Sequence, residues 1–134
     1  MERRVRLLLD TYVVMWALRD PSRLSPVATE LIRDPANELL ISAVVPWEIA
    51  TKHRIGRLPD TGALLLAFED HMRRLGAVEL PVTARHAIAV GQLQWSSEDP
   101  FDRMLAAQSI IEGVPIVTAD PVFLTLPTVR VAWN

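Results

Sequence analysis

The sequence contains no cysteine, so disulfide bonds and thiolate metal sites are excluded. Histidine is scarce as well. His53, His71 and His86 are scattered along the chain, and no two of them have the spacing of a metal-binding pair. Any bound metal would therefore be held by oxygen ligands, which favours Mg²⁺ or Mn²⁺ over Zn²⁺.

Long hydrophobic runs are also missing. A membrane helix needs about 20 consecutive apolar residues, and the apolar segment 5–18 is interrupted by Arg6 and Asp10. The same segment lacks a small-residue cleavage site, so we do not interpret it as a signal peptide. We expect a cytoplasmic protein with no membrane segment.

The sequence has no excess of positive charge. Its formal net charge is −2, whereas a protein that binds nucleic acid mainly by bulk electrostatics is normally basic. A nuclease is still compatible with this value, because the carboxylates of a metal site lower the net charge. Thirteen of the fourteen basic residues are arginine, which suits phosphate contacts, but a GC-rich genome would produce the same bias.

Half of the 134 residues are hydrophobic, which predicts one globular domain over residues 1–134. Short apolar runs alternate with helical patterns, and this alternation predicts an α/β fold with a mainly parallel central sheet. The predicted strands are 5–10, 38–43, 78–82, 114–118 and 129–133. The predicted helices are 11–18, 26–33, 46–56, 61–75, 83–93 and 100–111, with a helical turn at 121–124. The predicted helix caps are Ser25, Thr61, Thr83 and Asp99.

Four acids occupy positions that such a fold would bring together. Asp10 and Asp120 lie at or just after the ends of predicted strands. Glu48 and Asp102 are each expected in the first turn of a helix, three positions after its cap. Sites in open α/β sheets lie beyond the carboxyl ends of the strands, so we expect the four acids to meet at that rim.

A cluster of acids suits the hydrolysis of phosphodiester bonds. Carboxylates this close repel one another unless a cation lies between them. One or two Mg²⁺ or Mn²⁺ ions would neutralise the phosphoryl oxygens, assist the leaving group and activate a water molecule for attack. The pattern therefore indicates a metal-dependent nuclease.

Each acid except Asp10 also has a good structural explanation. Glu48 could pair with Lys52 one helical turn later, and Asp102 could be an ordinary first-turn acid. Asp120 could cap a short helix after Pro121. Asp10 is harder to explain structurally, because the burial of an acid at the end of a leucine strand is costly.

Other side chains could support the acids. Thr11, Ser42 and Thr118 lie beside the acids or at strand ends, where they could orient a carboxylate or a metal-bound water, and turn or cap chemistry explains them equally well. Asp99 is interpreted as the cap of the helix of Asp102 rather than as a metal ligand. Arg103 is predicted on a helix surface, and His71 and His86 at the solvent or the edge of the core. The tryptophans are predicted to be core or interface anchors, namely Trp16, Trp47, Trp95 and Trp133.

Several stretches together resemble a known family. They are LLLDTYVVMWAL around Asp10, ISAVVPWEIATKHRIGRL (41–58), ELPVTARHA (79–87), DPFDRMLAAQS (99–109) and IVTADPVF (116–123). They span nearly the whole chain, and DPFDRMLAAQ is rather specific. The sequence resembles the PIN-domain family, and in particular the VapC-like toxins of bacterial toxin–antitoxin pairs.

The resemblance implies a three-layer α/β/α sandwich and an endoribonuclease toxin that cleaves RNA with Mg²⁺ or Mn²⁺. It assigns the metal ligands to Asp10, Glu48, Asp102 and Asp120. It further implies a homodimer and a small antitoxin protein that covers the site. Related sequences often have Ser or Thr in place of Pro46 and His in place of Ser97, so these two differences concern local substrate contacts.

Other classes of protein fit the sequence less well. Haloacid-dehalogenase-like phosphatases need a second Asp two positions after the first, and position 12 is Tyr. A receiver domain would need an acidic pair near the first strand, and no phosphate-binding loop rich in glycine occurs. A housekeeping PIN nuclease remains an alternative, as does a PIN-like RNA- or protein-binding module, although such a module is expected to lack some of the acids.

Overall fold

The structure is a computed structural model, and it describes residues 5–134. Its centre is a sheet of five parallel strands in the order β3-β2-β1-β4-β5. The strands are β1 Arg6–Leu9, β2 Glu38–Ser42, β3 Ala77–Leu80, β4 Ile116–Val117 and β5 Val131–Ala132. From β1 the chain first builds β2 and β3 on one side and then returns to build β4 and β5 on the other. The strand order therefore reverses beside β1, which is where α/β sheets open a crevice for ligands.

The helices are α1 Thr11–Arg19, α2 Pro26–Arg33, α3 Val44–Arg54, α4 Gly62–Leu66, α5 Phe68–Leu75, α6 Ala84–Gln92 and α7 Pro100–Glu112. Three short 3₁₀ turns cover Pro21–Arg23, Pro59–Thr61 and Pro121–Thr125. Within residues 5–134, no helix has both the length and the apolar character that a membrane span requires.

Two apolar layers cover the two faces of the sheet. In β1, Leu7 and Leu9 pack into one cluster with side chains from α1 to α5, and Leu8 packs into a second cluster with side chains from α7. This alternation follows from the pleat of a strand, which points successive side chains to opposite faces. The predicted α/β/α sandwich with a parallel sheet is confirmed.

Two of the predicted helix boundaries are wrong. The helix predicted over 61–75 is broken at Ala67 into α4 and α5, and Thr61 does not cap it, because its hydroxyl donates to the carbonyl of Leu58 at 2.7 Å. The helix predicted from Pro46 begins at Val44, where the buried Ser42 hydroxyl accepts the Val44 N–H at 3.0 Å. The other predicted caps, Ser25, Thr83 and Asp99, are confirmed.

The pairing of α6 with α7 corrects two further predictions. His86 is only 1% exposed, and its Nδ1 accepts the Thr83 N–H at 3.0 Å while its Nε2 lies 3.0 Å from a carboxylate oxygen of Glu112. Since Nδ1 is an acceptor, Nε2 is the nitrogen that carries the hydrogen, and it donates a hydrogen bond to the Glu112 carboxylate. Arg103 is not a free surface residue either. Its guanidinium donates to the carbonyls of Val90, Leu93, Trp95 and Ser97.

Candidate metal-binding active site

Asp10 directly follows β1 and caps α1. One carboxylate oxygen accepts the Thr11 N–H at 2.7 Å, and the other accepts the Thr118 hydroxyl at 2.8 Å. Burial raises the pKa of Asp10 to about 6, while the hydrogen bonds from Thr118 and Thr11 oppose this rise. The nearby charges of Glu48 and Asp120 raise the pKa further. Asp10 is therefore a buried acid that has other carboxylates within electrostatic reach.

Glu48 lies in the second turn of α3, not in the first turn as predicted, because the helix begins at Val44. The carboxylate is buried. One oxygen accepts the Thr11 hydroxyl at 2.5 Å, and the other forms an ion pair with Lys52 Nζ at 2.5 Å. This ion pair is the structural explanation that the sequence offered for Glu48, and it is present. Thr11 links Glu48 to Asp10, because its backbone N–H and its hydroxyl donate to the two different acids.

Asp102 is the third residue of α7, as predicted, and Asp99 caps this helix by accepting the N–H groups of Phe101 and Asp102 at 2.9 and 3.1 Å. Burial raises the pKa of Asp102 to about 7, and the charges of Asp99, Asp10, Glu48 and Asp120 contribute in that order. The Asp102 carboxylate accepts no hydrogen bond from the described residues. It is the least satisfied of the four acids.

Asp120 is the most exposed member of the group. Its carboxylate accepts the Val122 N–H at 3.0 Å and so caps the 3₁₀ turn that follows β4, as the structural explanation anticipated. Its backbone N–H donates to the Thr118 hydroxyl at 3.0 Å. Thr118 therefore connects Asp120 to Asp10, since the same hydroxyl donates to the Asp10 carboxylate.

The structure brings the four acids into one electrostatic neighbourhood. Within residues 5–134, however, no group of three or more acidic or histidine side chains is arranged to hold a metal ion. Both oxygens of Glu48 are engaged by Thr11 and Lys52. The chemistry of the donors nevertheless fits Mg²⁺ or Mn²⁺, because all four are hard oxygen ligands and a cation would stabilise the ionised carboxylates against both burial and mutual repulsion.

The supporting residues fall into two groups. Thr11 and Thr118 make hydrogen bonds to the carboxylates. Ser42 and Asp99 instead satisfy backbone N–H groups at the starts of α3 and α7. The sequence identified Asp99 as a cap, but it could not separate Ser42 from Thr11 and Thr118, because a hydroxyl suits both roles.

The tryptophans also differ from one another. Trp16 packs against Trp133 and Trp95 packs against Phe123, as expected for anchors. Trp47 is 57% exposed and meets the ring of Phe101 edge-on at 4.8 Å, so it is not a core residue. Its neighbour in sequence, Glu48, is buried.

The family model of the PIN domain matches residues 7–128 of this chain. The chain therefore belongs to the PIN-domain family. It is similar to Ribonuclease VapC22 of Mycobacterium tuberculosis (strain ATCC 25618 / H37Rv), with 32% identity over 117 residues that cover 85% of this chain and 86% of that protein. Ribonuclease VapC16 of the same organism is 38% identical over 56 residues, which cover 42% of this chain and 40% of that protein.

Two solved structures share the fold. VapBC2 from Rickettsia felis, bound to a DNA fragment from its promoter, has a TM-score of 0.68 at 15% identity and covers 97% of this chain and 100% of its own. DNA-bound VapBC from Salmonella typhimurium has a TM-score of 0.68 at 17% identity, covering 95% of this chain and 96% of its own. Both support the PIN-like sandwich.

Proposed function

We propose that this chain is a metal-dependent endoribonuclease and the toxin of a toxin–antitoxin pair. The observation that carries the proposal is the group of four acids that follow β1 and β4 or lie in the second turn of α3 and the first turn of α7. Two of them, Asp10 and Asp102, have pKa values raised to about 6 and about 7 by burial and by the neighbouring acids. The relatives named as VapC ribonucleases support RNA as the substrate.

The metal ligands in this proposal are Asp10, Glu48, Asp102 and Asp120, and the ion is Mg²⁺ or Mn²⁺. When bound, such an ion activates a water molecule and neutralises charge on the phosphoryl oxygens. Thr11 and Thr118 hold the carboxylates of Glu48 and Asp10 through hydrogen bonds of 2.5 and 2.8 Å. Hydrogen bonds of this kind fix the orientation of metal ligands and sustain metal affinity.

The partner in this proposal is a small antitoxin protein that covers the acids, and the toxin itself is a homodimer in the cytoplasm. Support for the antitoxin comes from the VapBC complexes that share the fold. Copurification with the product of an adjacent small open reading frame tests the pairing. We expect that protein to bind the toxin and to suppress its RNA cleavage.

Incubation of purified protein with structured RNAs and Mg²⁺ or Mn²⁺, with and without EDTA, tests the activity. We expect cleavage only when the metal is present. Asp102→Asn should lower it by more than about 100-fold, because even an outer partner of a metal ligand contributes about 10–100-fold. Glu30→Gln, which removes one charge from an exposed position on α2, is the control and should cleave normally. Metal-independent cleavage, or normal cleavage by Asp102→Asn, would contradict the proposal.

A further inference from the structure

A cleft of about 470 Å³ lies along α1, and none of the four acids lines it. Its volume falls within the range of about 300–1,000 Å³ that is usual for ligand pockets. One wall consists of α1 and the 3₁₀ turn after it, and the other consists of the segment that follows α3. We call it the arginine cleft, and its defining residues are Tyr12, Trp16, Arg19, Arg23 and Arg57.

The near end of the arginine cleft adjoins the candidate metal site. Tyr12 lines the cleft, and its hydroxyl lies 3.4 Å from Lys52 Nζ. Lys52 in turn forms the ion pair with Glu48. From Tyr12 the cleft follows α1 to Arg19, a distance of about 10 Å at the usual helical rise. A chain molecule whose reacting bond lay at the acids would pass Lys52 and Tyr12 to enter the cleft.

The arginines of the cleft are available for a ligand. Arg19 and Arg57 are exposed, and neither forms an ion pair with any residue of the described chain. The Arg23 guanidinium lies 4.8 Å from the centre of the Trp16 ring, and this stacking leaves the N–H edge of the guanidinium free to donate. The cleft is thus a local source of positive charge on a chain whose net charge is −2.

Two acids also line the cleft and reduce this charge. Asp20 accepts the Ser22 hydroxyl at 2.6 Å, and Asp60 lies at the opposite wall. The arginines outnumber these acids, and arginine pairs with phosphate through two parallel hydrogen bonds. Charge complementarity therefore favours an anionic ligand with separated phosphate groups.

The aromatic rings of the cleft favour a nucleic acid over an acidic peptide as the anionic ligand. Tyr12 is 38% exposed, and Lys52 Nζ lies 5.2 Å from the centre of its ring, so a base would stack on the face that Lys52 leaves open. The Trp16 ring lies beyond it in the same cleft and carries the Arg23 guanidinium. Proteins that bind single-stranded nucleic acid combine a positive groove with aromatic rings on which bases stack. A peptide of aspartate and glutamate would pair with the arginines, but it has no ring to stack on the aromatic surfaces.

We propose that the arginine cleft binds single-stranded RNA adjacent to the bond that is cleaved. Arg19, Arg23 and Arg57 contact the phosphates, and Tyr12 offers a surface for a base. This inference rests on the proposed ribonuclease function. It assigns substrate affinity to residues that lie outside the metal site.

The test uses a variant in which both unpaired arginines are removed, Arg19→Ala with Arg57→Ala. Binding of a fluorescent single-stranded RNA to the metal-free protein is measured by anisotropy at several salt concentrations. We expect the dissociation constant to rise at least 10-fold. We also expect the slope of log affinity against log salt to fall in magnitude by about 1.4, since each phosphate contact on a single strand contributes about 0.7.

The control is Arg33→Ala, which removes an equally exposed arginine from the end of α2 that leads into β2. It should bind RNA like the wild type. An unchanged affinity and slope in the double variant would overturn the inference, as would an equal loss in Arg33→Ala. Tighter binding of a glutamate oligopeptide than of RNA, dependent on the same arginines, would overturn it in favour of a protein partner.

Hydrolysis of bis(p-nitrophenyl) phosphate with Mn²⁺ separates the cleft from the metal site, because this small diester does not extend into the cleft. We expect the double variant to hydrolyse it like the wild type while its kcat/KM on RNA falls at least 10-fold. If the wild type cleaves RNA and the double variant binds it normally, the cleft inference fails and the nuclease proposal stands. If the wild type cleaves neither substrate but binds RNA through the arginines, the nuclease proposal fails and the inference about the cleft stands.

Discussion

Asp10 has two structural roles at once. Its carboxylate caps α1 by accepting the Thr11 N–H, and it also accepts a hydrogen bond from the Thr118 hydroxyl. Burial raises the pKa of Asp10 to about 6, and these two hydrogen bonds oppose the rise. A buried carboxylate without such partners would be costly. The two donors therefore explain how this chain keeps an acid at the end of its central strand.

Replacement of Thr118 by Val should weaken metal binding at the proposed site. The change keeps the side-chain shape but removes the hydroxyl that donates to Asp10. We expect Mn²⁺ affinity, measured by calorimetry, to fall about 10–100-fold, as is typical when an outer partner of a metal ligand is lost. Thr118→Ser keeps the hydroxyl and should retain the affinity. Equal affinities for all three proteins would contradict the positioning role.

The metal-free protein should become less stable as the pH rises. The pKa of Asp102 is about 7 in the folded chain, above the ordinary value of 3.8. Between these values the folded state retains a proton that the unfolded state has released, so the free energy of unfolding falls with rising pH.

Asp102→Asn removes this titration and the repulsion between residue 102 and the other acids. We expect it to raise the Tm of the metal-free protein by a few degrees at pH 8, and to have a smaller effect at pH 4. Thermal unfolding in EDTA at the two pH values measures this. Glu30→Gln should change neither Tm, and an Asp102→Asn effect that does not grow with pH would refute the explanation.

At the scale of elements, α3 and α7 position two of the acids differently. Asp102 lies in the first turn of α7, where Asp99 caps the helix. Glu48 lies one turn inside α3 and meets Lys52 on the same helix face. The link between α6 and α7 is held by Arg103, whose guanidinium donates to four backbone carbonyls.

Arg103→Ala should destabilise the protein by about 2–3 kcal/mol. It removes a charged donor from carbonyls of the α6–α7 link, and a hydrogen bond to a charged group contributes about 1.5–3 kcal/mol. Urea denaturation measures the loss, and faster amide exchange over residues 93–99 locates it. Arg85→Ala, at an exposed position on α6, is the control and should change the stability little. A purely catalytic defect in Arg103→Ala would point to a role in phosphate binding instead.

At the scale of the whole molecule, the reversal of strand order beside β1 gathers the acids at one edge. Asp10 follows β1, and Asp120 comes three residues after the last residue of β4, the neighbouring strand. Parallel strands point their carboxyl ends to the same edge. Because the acids meet only when the sheet is folded, metal bound at this edge should stabilise the folded protein as a whole.

Mn²⁺ should raise the Tm of the wild-type protein, because a ligand that binds only the folded state stabilises it. At a concentration 100-fold above the dissociation constant the gain is about 2.7 kcal/mol. Asp10→Asn and Asp102→Asn should show a much smaller shift in differential scanning fluorimetry. An equal shift in all three proteins would mean that the ion binds elsewhere.

Much of this protein was predictable from local patterns in the sequence. The strand positions, the caps at Ser25, Thr83 and Asp99, and the parallel sheet follow from apolar runs and capping residues. These features depend on neighbours in the chain, which the sequence displays directly. The four acids were also named from their positions relative to predicted strands and helices.

The remainder depends on contacts between residues that are distant in the chain. Thr118 reaches Asp10 across 108 positions, His86 is buried against Glu112, and Trp47 is left at the surface. No local pattern separates Thr118 from Ser42 or Trp47 from Trp16, because the environment of each side chain is decided by which elements pack around it. The sequence by itself determined the elements and the acids, and only the tertiary structure decided which hydroxyls hold those acids and which arginines line the cleft beside them.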